Sequence, residues 1–222
     1  MSKAIAIVSG GLDSVTLAYV LRSEGYHLHL LSFDYGQRHS KELEFAALCA
    51  RRLQAEHTVV DLSGLGALLK GSALTEEGIE VPEGHYAAPN MAITVVPNRN
   101  AIMLAIAYGA AVAEQVDVVA AGFHGGDHFI YPDCRPEFVE AFDAMERRAV
   151  DGFGKPDLRL YAPFVNIGKH DIVARGARLD VPFHETWSCY KGGERHCGRC
   201  GTCVERREGF ALARVLDPTE YA

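Results

Sequence analysis

A short glycine loop near the N-terminus contains residue types that could bind phosphate. The segment Ser9-Gly-Gly-Leu-Asp-Ser14 follows an apolar run, Ile5 to Val8, that is typical of a buried strand, and a run with helical spacing comes next. The two glycines let backbone N–H groups converge on an anion, and Asp13 or Ser14 could cap a helix whose N-terminus attracts phosphate. Neither a Walker A loop nor a G-x-G-x-x-G fingerprint is present. The loop predicts a pyrophosphate cradle, and a strand-to-helix turn without a ligand is the alternative.

A cysteine cluster near the C-terminus has the spacing of a metal site. Four of the six cysteines follow the pattern C-x7-C-x2-C-x2-C, at Cys189, Cys197, Cys200 and Cys203. The glycines between them let the chain fold around one ion, so that four thiolates form a tetrahedral shell without an open position. The pattern favours structural Zn²⁺, with an iron–sulfur cluster as the alternative. Of the remaining two thiols, we expect Cys49 to lie in the core and Cys134 to be a packed or pocket-lining thiol.

Two further segments carry charged residues just before predicted helices. Arg99, in VPNRN, and Arg135, in YPDCRPEF, could each pair bidentately with a carboxylate or phosphate. Asp133 could accept two N–H bonds from a purine-like edge. The alternative for each arginine is a solvated side chain at the start of a helix.

The periodicity of the chain predicts alternating strands and helices. Strand-like runs cover Lys3–Ser9, His27–Asp34, His57–Leu62 and Val116–Gly122, and helical spacing covers Ser14–Glu24, Ser40–Gln54 and Arg99–Glu114. A β-α-β-α-β-α-β order predicts an α/β fold, in which a parallel sheet has helices on both faces. Pro136 opens another amphipathic helix, and Gly152 closes it.

The remaining segments suggest how a single domain, residues 1–222, is organised. The stretch from Gly71 to Asn98 is rich in Gly and Pro and has little periodicity, so we interpret it as a flap over a site. Residues 186–214 are expected to form a metal-binding knuckle followed by a helix.

Composition excludes several classes of function. The 222 residues are 48% hydrophobic, enough for one sizeable core, and the net charge of −7 is spread along the chain, which argues against nucleic-acid binding. The longest apolar stretch, Ala101 to Ala113, is too short to span a bilayer. Clustered cysteines suit a reducing compartment, so we expect a soluble, cytoplasmic protein without membrane or nucleic-acid partners.

The motif SGGLDS resembles the signature of the PP-loop ATP pyrophosphatases. These enzymes cleave ATP between the α and β phosphates and activate a substrate as its adenylate. The resemblance implies a doubly wound, mainly parallel, Rossmann-like sheet of the adenine nucleotide alpha hydrolase type. It also implies that the loop binds pyrophosphate as the leaving group, with help from Mg²⁺ and basic side chains.

Five segments in order, SGGLDS, FDYGQRHSKE, VPNRN, YPDCRPEF and TWSCYKGGERHCGRCGTCVER, together resemble the 7-cyano-7-deazaguanine synthase family. The similarity runs from Ile5 to about Phe210, and the C-terminal motif discriminates this family from other PP-loop enzymes. It implies conversion of 7-carboxy-7-deazaguanine, ammonia and ATP into the nitrile, in queuosine biosynthesis, by a homodimer. A carboxylate is a poor electrophile, so adenylation would precede the attack of ammonia, and a second activation would turn the amide into the nitrile.

The same resemblance implies roles for individual residues. It places ATP on Val8, Ser9, Gly10, Gly11, Leu12, Asp13, Ser14, Val15, Phe33 and Tyr35. Expected substrate contacts are Arg99, Asp127, Tyr131, Asp133 and Arg135, and Asp127 is also a candidate Mg²⁺ ligand. Asp13, Ser14 and Lys169 are the expected catalytic residues, with Lys169 stabilising charge in the transition state. The metal ligands carry over to the four clustered cysteines.

One segment departs from a common pattern of that family. His124 stands where Asn is common, and residues 128–130 replace Tyr-Ser-Gly. His124 and His128 could adjust contacts to substrate or ammonia, or mark a relative that acts on another carboxylate. The alternatives are therefore a PP-loop enzyme that adenylates a different acid or a tRNA base, and a zinc-dependent binding module without catalysis.

Overall fold

A computed structural model describes residues 2–66, 68–86 and 89–222 of the chain. The strands are β1 (Lys3–Ile7), β2 (His27–Asp34), β3 (Glu56–Asp61), β4 (Val118–Ala120) and β5 (Arg159–Tyr161). The helices are α1 (Leu12–Ser23), α2 (Glu42–Leu53), α3 (Ser63–Gly66), α4 (Arg99–Ala113), α5 (Pro136–Ala149), α6 (Lys169–Arg178) and α7 (Gly201–Ala213). Short 3₁₀ turns cover Pro89–Thr94, Gly125–Phe129, Pro132–Cys134 and Phe183–Glu185.

The strands form one parallel sheet in the order β3-β2-β1-β4-β5. Strand β1 is central, since Ala4 pairs with Leu28 of β2 on one side and with Val118 of β4 on the other. Buried parallel strands carry apolar residues on both faces, as β1 does. The predicted α/β fold with a parallel sheet is confirmed.

Two hydrophobic cores lie on opposite faces of this sheet. Ala4 and Ala6 face the core that α1, α2, α6 and α7 cover. Ile5 points to the other core, where residues of α4 and α5 pack. Because successive side chains of a strand point to opposite faces, these three residues of β1 separate the two layers of helices.

The chain reverses its direction of winding between β1 and β4. β2 and β3 lie on one side of β1, whereas β4 and β5 lie on the other. The chain segments that leave the carboxyl ends of β1 and β4 therefore run in opposite directions. Such a switch point is where ligands bind in open α/β sheets. The two segments touch here, since a Cβ on Gly122 would lie only 3.3 Å from the backbone nitrogen of Ser14.

The element boundaries agree with the sequence predictions except at a few ends. Strand β4 is shorter than the predicted Val116–Gly122, and the three-residue β5 was not predicted, because so short a run has no readable period. The described part of the predicted flap, residues 71–86 and 89–98, contains turns and one 3₁₀ segment, and its side chains Leu74 and Tyr86 are buried. Among the described residues, no helix is both long and apolar enough to cross a membrane.

Candidate active site and metal centre

A cavity opens at the switch point, between the ends of β1, β2 and β4 and the N-termini of α4 and α6. From the predicted ATP loop, its lining includes Val8, Ser9, Gly11, Leu12, Asp13 and Ser14. The lining also includes Phe33, Tyr35, Arg99, Asp127, Tyr131 and Lys169. Among the predicted site residues that line the cavity, the fold therefore brings together positions as far apart as Val8 and Lys169.

The loop after β1 leaves the start of α1 without a side-chain cap. Gly11 is the N-cap residue, so the prediction that Asp13 or Ser14 caps the helix is wrong. The Ser14 hydroxyl instead accepts the N–H of Ser9 at 3.2 Å and donates to the carbonyl of Gly11 at 3.1 Å, which closes the loop. Because the first N–H groups of a helix have no intrahelical partners, the first turn of α1 can bind an anion.

Gly10 does not line the cavity but supports the loop from behind. Its φ is +93°, and a Cβ there would lie 2.1 Å from the carbonyl oxygen of Glu42 and 2.7 Å from the nitrogen of Ala46. The close contact with α2 therefore requires glycine. Val15, the other predicted ATP residue outside the lining, is buried in the core instead.

Lys169 lies beside the loop and pairs with two carboxylates. Its Nζ donates to Asp13 Oδ2 at 2.6 Å and lies 3.2 Å from Glu205 Oε2. Its stem packs on α7, where a Cβ on Gly209 would lie 2.6 Å from the Lys169 Cγ. Lys169 is the first residue of α6, so the start of that helix places the ammonium at the cavity.

Burial and pairing act in opposite directions on the ionisation of these three groups. Burial alone would raise the pKa of Asp13, but Lys169, His124 and Arg206 together more than offset it, and the net pKa is lowered. Burial alone would lower the pKa of Lys169, but Asp13 and then Glu205 raise it well above its ordinary value. Burial raises the pKa of Glu205, an effect that Lys169 offsets only in part. Lys169 is therefore a fixed positive charge at neutral pH.

His124, where the segment departs from the common family pattern, lies between carboxylates. Its Nε2 is 3.4 Å from Asp127 Oδ1 and 3.8 Å from oxygens of Asp13 and Glu205. Its Nδ1 accepts the backbone N–H of Gly126 at 3.0 Å, so the proton of the neutral ring lies on Nε2, toward the acids. The Tyr86 hydroxyl also donates to Asp127, at 2.9 Å.

The other end of the cavity is aromatic and contains the guanidinium of Arg99. Arg99 donates to the hydroxyl of Tyr35 at 3.1 Å and lies over that ring at 5.8 Å. The Tyr131 hydroxyl contacts Thr94 Oγ1 at 2.7 Å and the hydroxyl of Tyr190 at 3.4 Å. No acidic side chain of the described chain forms an ion pair with Arg99, so its charge is available to a ligand.

Asp133 and Arg135 do not line the cavity. Asp133 Oδ2 accepts the N–H of Asn100 at 3.1 Å, in the first turn of α4. Arg135 is exposed, and its Nε donates to the carbonyl of His128 at 3.0 Å. Both side chains bind the protein itself, so their predicted substrate contacts have no support from this geometry.

Several cavity residues were missed by sequence reasoning. They are His39, Glu42, Tyr86, Tyr190, Glu205 and Arg206. Two of them, His39 and Glu42, belong to the segment FDYGQRHSKE, which was recognised only as part of a family pattern. Charged residues at the start of a helix are usually solvated, and only the packing shows that these are buried.

The four clustered cysteines form a compact site. The sulfur atoms of Cys189, Cys197, Cys200 and Cys203 all lie within 4.8 Å of one another. The N–H groups of Arg199 and Cys200 donate to the sulfur of Cys197, and Gly198 has a φ of +70° in the turn between them. The group could hold a metal ion. As predicted, Cys49 is buried in the core and Cys134 lines the cavity, outside the cluster.

A buried arginine joins the cysteine cluster to the rest of the chain. Arg206 is 1% exposed and donates to Thr186 Oγ1 at 2.7 Å, to the carbonyl of Phe183 at 2.9 Å and to Asp217 Oδ1 at 3.2 Å. The predicted flap is attached to the same region, because Glu83 and Cys200 form an isolated antiparallel β-bridge.

Comparisons with known proteins agree with this architecture. The chain is 65% identical over 219 residues to a 7-cyano-7-deazaguanine synthase of Rhizobium meliloti (strain 1021), covering 99% of this chain and 92% of the relative. It is 62% identical over 218 residues to 7-cyano-7-deazaguanine synthase 1 of Mesorhizobium japonicum, covering 98% and 93%. The solved structure of NMN synthetase from Francisella tularensis has the same fold, with a TM-score of 0.55 and 15% identity over 97% of this chain and 78% of that one.

A family model described as queuosine biosynthesis protein QueC matches residues 3–214, a range that includes all of the motifs quoted above. The resemblance predicted from those motifs is thereby confirmed: the chain belongs to the QueC family.

Proposed function

We propose that the chain converts 7-carboxy-7-deazaguanine and ammonia to 7-cyano-7-deazaguanine, using ATP to form adenylated intermediates. The names of relatives that are 60 to 65% identical support this assignment. The observation that carries it is one cavity in which an uncapped helix N-terminus, the Lys169 ammonium and the Arg99 guanidinium meet, and no described carboxylate forms an ion pair with Arg99. Three groups that attract anions suit the binding of a nucleoside triphosphate together with a carboxylic acid.

The pyrophosphate half of ATP would bind to the loop after β1. The N–H groups of the first turn of α1 and the hydroxyl of Ser9 would be its donors, while Ser14 keeps the loop closed. As the bond between the α and β phosphates breaks, negative charge develops on the leaving pyrophosphate. Lys169 is held beside the loop by Asp13, so it offers a positive charge that need not reorganise during the step.

The acid would be activated by attack of its carboxylate on the α-phosphorus, which gives an acyl adenylate and pyrophosphate. Ammonia then displaces AMP and gives the primary amide. A second ATP adenylates the amide oxygen, and loss of AMP with the two nitrogen protons leaves the nitrile. Glu205 is a carboxylate beside His124, and we assign it to accept the protons that nitrogen releases.

The donor sets present in the chain suit the two expected metal ions. Zn–S bonds of about 2.3 Å in a tetrahedron place sulfurs about 3.8 Å apart, which the compact sulfur cluster accommodates. The irons of an iron–sulfur cluster would hold the thiolates farther apart. Zn²⁺ would hold the knuckle together without an open coordination position. Mg²⁺ would arrive with ATP and supply positive charge, and the carboxylate of Asp127 offers oxygen ligands for it.

The proposal is tested by product analysis. The purified protein is incubated with ATP, ammonium chloride and 7-carboxy-7-deazaguanine, and each component is omitted in turn. AMP and pyrophosphate that form only in the complete mixture, with two AMP for each nitrile, are the expected result. AMP that requires another acid, or tRNA, would identify a different adenylating enzyme, and ADP with orthophosphate would contradict the proposed chemistry.

Two expectations from the sequence remain predictions. The homodimer implied by the resemblance is checked by the molar mass of the purified protein in solution. The cytoplasmic location is checked by fractionation of cells.

A further inference from the structure

A buried polar pair in the cavity has no task in the ATP chemistry described above. Glu42 and His39 are 8% and 4% exposed, and both line the aromatic end of the cavity. Burying a carboxylate without full hydrogen bonding is unfavourable, so this arrangement requires an explanation.

The hydrogen bonds of Glu42 within the described chain are incomplete. Gln37 Nε2 donates to Glu42 Oε1 at 3.3 Å, and His39 Nε2 lies 3.5 Å from the same oxygen. A carboxylate has about four acceptor positions, so most of them are free for a ligand. Burial raises the pKa of Glu42 to about 8, an effect that Arg99 and Gln37 partly offset. Ligand N–H groups that donate to the carboxylate would favour its ionised form.

His39 adds a second free acceptor. Its Nδ1 is buried and has no hydrogen-bond partner among residues 2–66, 68–86 and 89–222. Burial lowers the pKa of His39 to about 3, so the ring is neutral. With its proton on Nε2, toward Glu42, the ring presents Nδ1 as an acceptor beside the carboxylate.

Glu42 is not needed to hold the surrounding loop. Gln37 accepts the N–H of Tyr35 at 2.9 Å and donates to the carbonyl of Phe33 at 3.0 Å, so it fixes the end of β2 by itself. The turn into α2 is closed by backbone bonds, among them Glu42 N–H to the carbonyl of His39 at 2.9 Å. Ligand binding therefore explains the buried carboxylate better than a role in holding the fold does.

Acceptors and donors at this end of the cavity match one kind of heterocycle edge. A 2-amino-4-oxopyrimidine edge presents a carbonyl acceptor, a ring N–H and an amino group. Arg99 donates, whereas Glu42 and His39 accept, so the protein offers one donor and two acceptors, the complementary set. Adenine lacks the carbonyl and the ring N–H, so it would leave the arginine and one acceptor unpaired.

We propose that Glu42, with Arg99 and His39, binds the 2-amino-4-oxopyrimidine edge of the acid substrate and is the residue that determines specificity for it. This inference rests on the proposed function for the identity of the acid. It assigns the acid's ring, instead of the ATP expected from the resemblance, to the place next to Tyr35 and Tyr190, and leaves the loop after β1 to ATP.

Equilibrium binding of two acids tests the assignment. The probes are 7-carboxy-7-deazaguanine and its analogue without the 2-amino group, each titrated calorimetrically into the full-length protein. Glu42→Gln keeps an acceptor for Gln37 but loses the charge, and Glu44→Gln is the matched control, because Glu44 is an exposed residue in the same helical turn. A non-hydrolysable ATP analogue is titrated in parallel.

The expected result is that the parent protein binds the 2-amino acid about 10- to 100-fold more tightly than the analogue, and that Glu42→Gln removes most of this difference. Affinity for the ATP analogue should stay within about twofold, and Glu44→Gln should resemble the parent. Equal weakening of both acids, or loss of ATP affinity alone, would overturn the assignment. Binding that depends on Glu42 without AMP formation would support the recognition site and reject the proposed reaction, so the two failures are distinguishable.

Discussion

Lys169 Nζ lies 2.6 Å from Asp13 Oδ2, although the two residues are 156 positions apart in the chain. The contact joins the first turn of α6 to the first turn of α1, next to the loop that follows β1. Asp13 holds the ammonium at one position, so the charge is in place before any ligand binds.

The first prediction concerns this ammonium. Lys169→Met should lower kcat by about 10²- to 10³-fold, because charge on the leaving pyrophosphate loses its fixed cation. Rates of AMP release at saturating substrate measure the effect. Lys155→Met is the control, since Lys155 pairs with Asp117 at 2.8 Å outside the cavity and should leave kcat unchanged. Normal turnover by Lys169→Met would remove this residue from the chemistry.

A second prediction concerns the cysteine cluster. Cys200→Ser replaces one of four thiolates, so the protein should lose bound metal and at least about 4 kcal/mol of its free energy of unfolding. Metal content is measured by elemental analysis and stability by denaturant titration. Cys49→Ala, which changes a buried thiol outside the cluster, should keep its metal. Full metal content in Cys200→Ser would show that the remaining three cysteines suffice.

A third prediction follows from the buried carboxyl of Glu42. The ordinary pKa of this group is 4.5. In the folded chain its pKa is raised to about 8, mainly by burial. Between these values the folded chain holds a proton that the unfolded chain has lost, so the free energy of unfolding falls as the pH rises.

Glu42→Gln should remove that dependence. The variant should match the parent at about pH 4 and exceed it at about pH 9, by at most about 5 kcal/mol. Denaturant midpoints over this pH range provide the measurement, and Glu44→Gln provides the control for an exposed carboxylate in the same turn. A constant difference at every pH would mean that Glu42 ionises normally in the folded protein.

A fourth prediction concerns the arginine beneath the knuckle. Arg206→Leu leaves Asp217 without its cation and Thr186 and Phe183 without a donor, so it should lower the free energy of unfolding by about 3 to 5 kcal/mol. Arg207→Leu, at the adjacent exposed position, should change it by less than about 1 kcal/mol. Comparable losses in both variants would show that charge on α7 matters more than the buried bonds.

The fifth prediction separates two reasons for glycine at position 10. Gly10 and Gly25 have φ values of +93° and +88°, but a Cβ at Gly25 meets nothing within 4 Å, whereas one at Gly10 meets the backbone of α2. Gly25→Ala therefore measures the conformational strain alone. Gly10→Ala should be clearly less stable than Gly25→Ala and should bind ATP weakly, because α2 or the loop must move. Equal melting temperatures would mean that the contact relaxes easily.

The architecture could be predicted because it depends on patterns that the chain repeats. Strand-like runs and amphipathic spacing along the first 122 residues predict the β-α order, and a parallel sheet follows from it. Cysteine spacing likewise predicts the sulfur cluster. These features depend on residue type and separation, which a single sequence shows.

Features that depend on side-chain direction could not be predicted in the same way. Asp133 and Arg135 have types that suit a substrate, but their side chains bind backbone groups outside the cavity. Conversely, Glu42 looks like a solvated charge at the start of a helix, yet the packing of α2 against the Gly10 backbone turns it toward the cavity. The prediction that Asp13 or Ser14 caps α1 was wrong for a local reason, since Gly11 takes the N-cap position and Ser14 forms its hydrogen bond within the loop.

The cysteine cluster also shapes the wall of the cavity. Tyr190 and Thr202 line the cavity and are chain neighbours of Cys189 and Cys203. Glu83, in the predicted flap, forms a backbone β-bridge with Cys200. An ion held by these thiolates would thus help to fix the wall of the cavity without lying in the cavity itself. Removal of the ion should consequently disturb the end of the cavity that is assigned to the acid, next to Tyr190.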